Sequence, residues 1–247
     1  MAGHSKWKNI RIRKGKQDAV RGKIFTKLSR EIIVAAKMGG GDVAMNPRLR
    51  VAVEKARENS VPVENIKRSI ARGTGEIEGA DYEEIVYEGK GPGGSAIVLE
   101  CYSENRNRTV AEVRHAFNKA GGALGENGSV MWQFKHVGEI LVERGTLDEE
   151  EFTLTALDAG AEDVVADDES FTVYTSVPDL HKVNSALEAA GVKTSEVSLT
   201  YVATNKVELT ADDANKLMNL LEALDDLDDV QETYVNVDLP EDLLEEE

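Results

Sequence analysis

A single cysteine, Cys101, among 247 residues excludes any intrachain disulfide, which fits a reducing compartment; its setting in AIVLECY makes it a small buried hydrophobe. Long apolar runs are missing as well. The longest strongly apolar stretch, Ile32 to Ala36, is far too short to span a bilayer, and no apolar core follows the basic start as a secretory signal requires. A mitochondrial leader fails on continuity, because the basic character runs past residue 70 through several capped helices. The expectation is a soluble, cytoplasmic protein with no membrane partner. Histidine is scarce: His4, His115, His136 and His181 are scattered, and neither they nor Cys101 show a metal-ligand spacing. Asp225, Asp226, Asp228 and Asp229 lack the glycine and spacing of a calcium loop and read as a solvated turn at a helix end. Residues 89–94, GKGPGG, fit G-x-G-x-x-G literally, yet a strand follows where a dinucleotide site needs a helix, so the run is a hairpin turn. No catalytic constellation emerges. The chain is expected to be no enzyme, with no catalytic residue, metal or cofactor.

What is there is charge, and it is unevenly placed. Residues 1–75 hold 18 Lys or Arg against 6 Asp or Glu, whereas the rest hold 11 against 40, within a net charge of -17. Such a split joins a polyanion-binding segment to a body that the same polyanion repels.

Periodicity divides the chain into three parts. The first 15 residues form a basic arm without an apolar period. From Lys16 to Lys37, Ile24, Leu28, Ile32 and Ala35 gather on one side of a helix, and Lys16, Lys23, Lys27, Arg30 and Lys37 fall on another within an arc of roughly 80°. The triple glycine at 39–41 ends that helix, and Asn46 with Pro47 caps and starts a second, striped by Leu49, Val53 and Ala56. A third helix after Pro62 turns Val63, Ile66 and Ile70 inward and Lys67, Arg68 and Arg72 outward, and Gly73 stops it. Beyond residue 79 the period changes to strands at 85–88 and 96–102, a helix at 109–120 and a strand at 130–134. Residues 138–203 then repeat strand and helix in the order of a ferredoxin-like sandwich, and 205–237 supply a strand, a helix and a strand that complete the interrupted element before it. The expected fold is therefore α+β: a basic three-helix bundle (1–78), a discontinuous α/β domain (79–134 and 205–247) and a ferredoxin-like sandwich inserted into it (135–204).

The bundle is the candidate functional surface, because solvated faces usually mix both signs of charge and this one does not. Its cations are Lys6, Lys8, Arg11, Arg13 and Lys14 on the arm, the helix stripe above, and Arg48, Arg50, Arg68 and Arg72 on the later helices. Cations that neutralise phosphates release counterions and bind with little regard for sequence. Trp7 either stacks on an unpaired base or packs the arm against the bundle. Arg106 and Arg108, at the start of a helix, are a secondary phosphate contact or surface decoration. The third helix offers Val63, Glu64 and Asn65 where a recognition helix reads bases, which favours irregular RNA or a ribosomal cavity over a duplex operator. An alternative is a protein-interaction module whose basic bundle docks on an acidic protein. Two arrangements of the acidic body remain open: it faces away from the bundle, or it folds over the bundle and masks it. The oligomeric state is left open.

Several motifs carry a family resemblance: AGHSKW at 2–7, the K-x-x-D-x-x-R-x-K-x-F-x-K-x-x-R-E-I run with Asp18, Arg21, Phe25, Lys27 and Arg30, GGGD at 39–42, NPRLR at 46–50, RGTG at 72–75, YEG-x-GPGG at 87–94 and NRNRT-x-x-EVRH at 105–115. Over essentially its full length the chain resembles the YebC family. The resemblance implies a helical N-terminal domain followed by two α/β domains. It also implies a nucleic-acid partner: family members are described as probable DNA-binding transcriptional regulators, mitochondrial relatives as translational activators for cytochrome oxidase, and bacterial relatives as relieving ribosome stalling at proline runs. Carried over by motif, the basic positions of the arm and first helix, Arg21 included, are the implied contacts, and no catalytic residue is implied.

Overall fold

The computed structural model describes residues 18–79, 81–167 and 169–237. Three helices open it: α1 (Asp18–Gly39), α2 (Pro47–Glu58) and α3 (Val63–Gly73). Asn46 caps α2 by accepting the Leu49 N–H at 3.1 Å, while its amide donates to the Ala35 and Gly40 carbonyls and so ties the end of α1 to the start of α2. Of the residues the spacing indicates, Leu28, Ile32, Ala35, Leu49, Val53, Ala56 and Ile66 are buried in the bundle core together with Ala52, and Ile24 and Ile70 pack against it partly buried. Val63 departs from expectation and is 58% exposed. It is the first residue of α3, one turn beyond Ile66, and no element of the bundle covers that end. Gly73 allows α3 to close on α1: a Cβ there would stand 2.4 Å from the Ile33 carbonyl oxygen.

A hairpin follows, β1 (Glu83–Lys90) paired antiparallel with β2 (Ala96–Ser103) through a short 3-10 turn at Pro92–Gly94. The GKGPGG run is thus a hairpin turn, in which Gly93 and Gly94 take positive φ of 64° and 78°. Helix α4 (Arg106–Lys119) leads to a two-residue strand β3 (Ala123–Leu124), and α7 (Ala211–Asp225) and β8 (Val230–Val235) complete the sheet, in the order β3-β1-β2-β8. One face packs Ile85, Tyr87, Ile97, Leu99 and Cys101 against Val113 and Phe117 of α4 and Leu217, Leu220, Leu221 and Leu224 of α7.

Two expected strands are absent. Residues 131–133 form a 3-10 turn, because the amides of Gly128, Val130 and Met131 are held by the Glu88 carboxylate at 2.6–2.8 Å instead of by a neighbouring strand. The strand expected soon after residue 205 is reduced to one bridge, Val207 with Val237. Its place in the sheet is taken by β1, which precedes β2 in the chain, so the ferredoxin-like spatial order is reached by a permuted path.

The segment between these halves is a unit of its own, Phe134–Thr204. It runs β4 (Phe134–Glu143), α5 (Glu149–Ala159), β5 (Asp163–Ala166), β6 (Ser170–Thr175), α6 (Leu180–Ala189) and β7 (Thr194–Ala203). The sheet order β5-β6-β4-β7, antiparallel throughout, is that of the ferredoxin-like sandwich, with Ile140, Val142, Phe152, Phe171, Val173, Val183 and Leu187 in its core. The chain is α+β, a three-helix region plus two four-stranded antiparallel sheets with helices. No described helix is long and apolar enough to cross a membrane.

Candidate nucleic-acid interface

The cation stripe of α1 does not stand open. Lys23 meets Asp226 at 2.6 Å, Lys27 meets Asp225 at 2.6 Å, and Arg30 meets Asp229 at 3.1 Å and also donates to the Asp228 carbonyl. Spacings of four and three on α1 put these three side chains on one face. The turn they face is the end of α7 and the step into β8. A helix C-terminus carries partial negative charge on its unpaired carbonyls, and the aspartates there add full charges. Lys27 answers both, since it also donates to the Asp225 carbonyl at 3.1 Å.

The pairs grade from wet to dry along α1. Side-chain exposures are 45% and 74% for Lys23 and Asp226, 16% and 26% for Lys27 and Asp225, and 10% and 2% for Arg30 and Asp229. Asp229 is accordingly no part of a solvated turn. It accepts from Thr109 Oγ1 at 2.6 Å and from Arg108 at 2.9 Å, and Ser103 stands at 3.4 Å. Burial pushes its carboxyl up, but the bonds from Thr109 and Arg108 and the charge of Arg30 outweigh this and hold it below the usual carboxylate range. The Arg30 guanidinium also lies over the Tyr82 ring at 5.2 Å.

The remaining candidates divide. Lys37 pairs with Asp81, and Arg48 pairs with Glu84 at 3.0 Å and donates to the Tyr102 hydroxyl at 2.9 Å. Arg50 donates to the Val43 and Ala44 carbonyls and braces the loop before α2. Arg68 and Arg72 are exposed on α3 and form no ion pair among the described residues, nor does the neighbouring exposed Arg57 of α2. Arg108 turns to Asp229 and Glu104, at 2.9 and 3.7 Å, whereas Arg106 is exposed. Lys6, Trp7, Lys8, Arg11, Arg13, Lys14 and Lys16 lie outside the described residues, as does the side chain of Arg21.

Sequence reasoning missed the acidic partners Asp81, Glu84, Asp225, Asp226 and Asp229. The signal was present in the excess of anions at 225–229, but local spacing gives no hint that the cations of a helix some 200 positions earlier face them. Half-buried acid also sits on the sheet face opposite α4 and α7. Glu100 is paired across the strands with Glu232, accepts from the Tyr234 hydroxyl at 3.1 Å, and is pushed by burial up to about 7. Among the described residues no cluster of His, Cys, Asp or Glu could hold a metal ion, and the Cys101 thiol is buried and pushed up by that burial.

The profile of the TACO1/YebC protein N-terminal domain matches residues 5–76, and that of the TACO1/YebC second and third domain matches 82–237. A protein of Thiobacillus denitrificans is 56% identical over 98% of this chain and 100% of its own length, and one of Halothermothrix orenii is 52% identical over 100% and 98%; both bear the name "probable transcriptional regulatory protein". The crystal structure of a conserved hypothetical protein from Aquifex aeolicus superposes with a TM-score of 0.84 at 43% identity, over 93% of this chain and 95% of that one. On sequence and fold together, the chain belongs to the TACO1/YebC family.

Proposed function

We propose that this protein is a non-enzymatic regulator of gene expression that binds nucleic acid through its N-terminal region. The observation carrying the reading is the segregation of charge, 18 cations against 6 anions in residues 1–75 of a chain whose net charge is -17. Among the described residues, Arg57, Arg68 and Arg72 are exposed cations of that segment that form no ion pair. The arm cations Lys6, Lys8, Arg11, Arg13, Lys14 and Lys16, with Arg21, extend the proposed contact, and Trp7 supplies a base-stacking face. Support for a regulatory role comes from the names its relatives bear. RNA, in the ribosome, is favoured over duplex DNA, because α3 opens on Val63 and Glu64 and offers Asn65 as its one base-reading side chain of the Asn, Gln or Arg type in its first turn.

A second reading, docking on an acidic protein, is favoured by one observation: the α1 stripe already takes carboxylates as its partners. Co-sedimentation with ribosomes from a lysate, before and after ribonuclease, separates the two. The variant to set beside the parent is Arg68→Glu with Arg72→Glu, since reversing Lys23, Lys27 and Arg30 would break the pairs to the aspartates as well. Loss of co-sedimentation by the variant and by ribonuclease supports the RNA reading. A parent that shifts duplex DNA but ignores ribosomes moves the protein to transcription, and a complex indifferent to nuclease moves it to protein docking.

A further inference from the structure

We infer that the Asp225–Asp229 turn is an internal mimic of a phosphate run, which occupies Lys23 and Lys27 in the free protein and is displaced from them when nucleic acid binds. This rests on the nucleic-acid reading and adds the regulation of that surface. The geometry has three parts. The anions are presented in a row, two carboxylates and a helix-end carbonyl, to two lysines one turn apart, with both ammonium–carboxylate distances 2.6 Å. The row is anchored at its far end by Arg30 and Arg108 on Asp229, buried and further bonded by Thr109, so the turn stays in place when its outer pairs open. The outermost pair, Lys23–Asp226, is the wet one, with Asp226 74% exposed, so water can take over that carboxylate at little cost, and the half-buried Lys27–Asp225 pair lies next to it. Exchange of a carboxylate for a phosphate releases the cation condensed on that phosphate but leaves the freed aspartate to gather one, so the net release per exchanged lysine is small.

That last point separates the device from mere structural glue. A lysine that is free before binding adds about 0.7 to the slope of log affinity against log salt on single-stranded nucleic acid, while one that trades an aspartate for a phosphate adds far less. Binding of a fluorescently labelled single-stranded RNA oligonucleotide, and of duplex DNA of the same sequence, is measured by anisotropy over a potassium chloride series. Four variants are compared: Asp225→Asn with Asp226→Asn; the charge-matched control Glu150→Gln with Asp158→Asn in the inserted unit; Lys23→Gln with Lys27→Gln; and the combination of the first and third. The aspartate variant is expected to bind about tenfold tighter at low salt and to steepen the slope by roughly 1.4, two lysines' worth. The control should do neither. Lysine removal should cost the aspartate variant more affinity and slope than it costs the parent, so that the combined variant loses the gain. Asp226→Asn alone, at the most exposed pair, should give about half the slope change without touching the fold, which a thermal melt checks.

An aspartate variant that behaves like its control overturns the inference. So does a parent that loses as much affinity and slope as the aspartate variant does when Lys23 and Lys27 are removed, because the lysines would then be open already. In either case binding that still falls with Arg68→Glu and Arg72→Glu leaves the nucleic-acid reading standing. If neither the parent nor the aspartate variant binds RNA or DNA at low salt, both fall together.

Discussion

Asp229 gathers Arg30, Arg108 and Thr109 around one carboxylate that is only 1% exposed. Removing one member of such a buried set strands the charges left behind, at a cost of about 3 kcal/mol or more. Asp229→Ala is therefore expected to lose about 3 kcal/mol in urea unfolding, and Asp229→Asn, which keeps one acceptor, less. Its folded pKa lies below the unfolded one, so its contribution is complete above about pH 4 and drains away as acid takes the pH down through the folded value. Glu100 works in the opposite sense. Burial raises it to about 7 against the bond from Tyr234, with Glu232 and Glu84 adding repulsion and Arg48 opposing it. Between about pH 4.3 and its folded value the native state holds a proton that the unfolded chain has lost, so stability falls as the pH rises through that window. Glu100→Gln should flatten this slope and gain about 2–3 kcal/mol at pH 8 relative to the parent while gaining little at pH 4. Denaturation curves at the two pH values decide it, and an equal shift at both would show that Glu100 titrates alike in the folded and unfolded chain.

At the scale of elements, Glu88 gives a long-range hold to a loop that has no ladder. It is 6% exposed and accepts from the Gly128, Val130 and Met131 amides, which keep it ionised below the usual range although burial pushes it up. Glu88→Ala leaves three donors without their acceptor, and a loss of about 2–3 kcal/mol is expected. Hydrogen exchange offers the sharper check, because those three amides should lose protection while the β1–β2 ladder keeps its own. The same contact explains why residues 130–134 misled the sequence reading. Val130 and Phe134 are buried and Trp132 is exposed, an alternation that suits a strand, and the partner that decides otherwise lies some 40 residues earlier. Where the determinant is local the reading was good: Asn46 and Pro47 start α2, and Gly73 ends α3. Val63 fits the period of α3 but lies past the edge of the bundle core, and periodicity gives a direction without saying whether anything is there to meet it.

At the scale of the whole chain the charge split was legible and the pairing across it was not. Composition shows that residues 1–75 are basic and the remainder acidic, but two opposite surfaces in one molecule can repel a shared partner or satisfy each other. For the stripe of α1 the second outcome holds, and it makes charge complementarity part of what seats the bundle on the sheet. The half-buried Lys27–Asp225 pair tests how much. Lys27→Asp sets a new carboxylate against Asp225 with Asp226 and Asp228 close in the chain, and should cost about 1–2 kcal/mol. Asp225→Lys should cost less, since Asp226, Asp228 and Asp229 still offset the added cation. Exchanging both restores one attractive pair at the same distance, and recovery of about 1 kcal/mol over the sum of the single changes is expected in a double-mutant cycle. A coupling energy near zero would mean that the Lys27–Asp225 pair does not help to hold the bundle in place, leaving that to Arg30–Asp229, Arg48–Glu84 and the contacts around them.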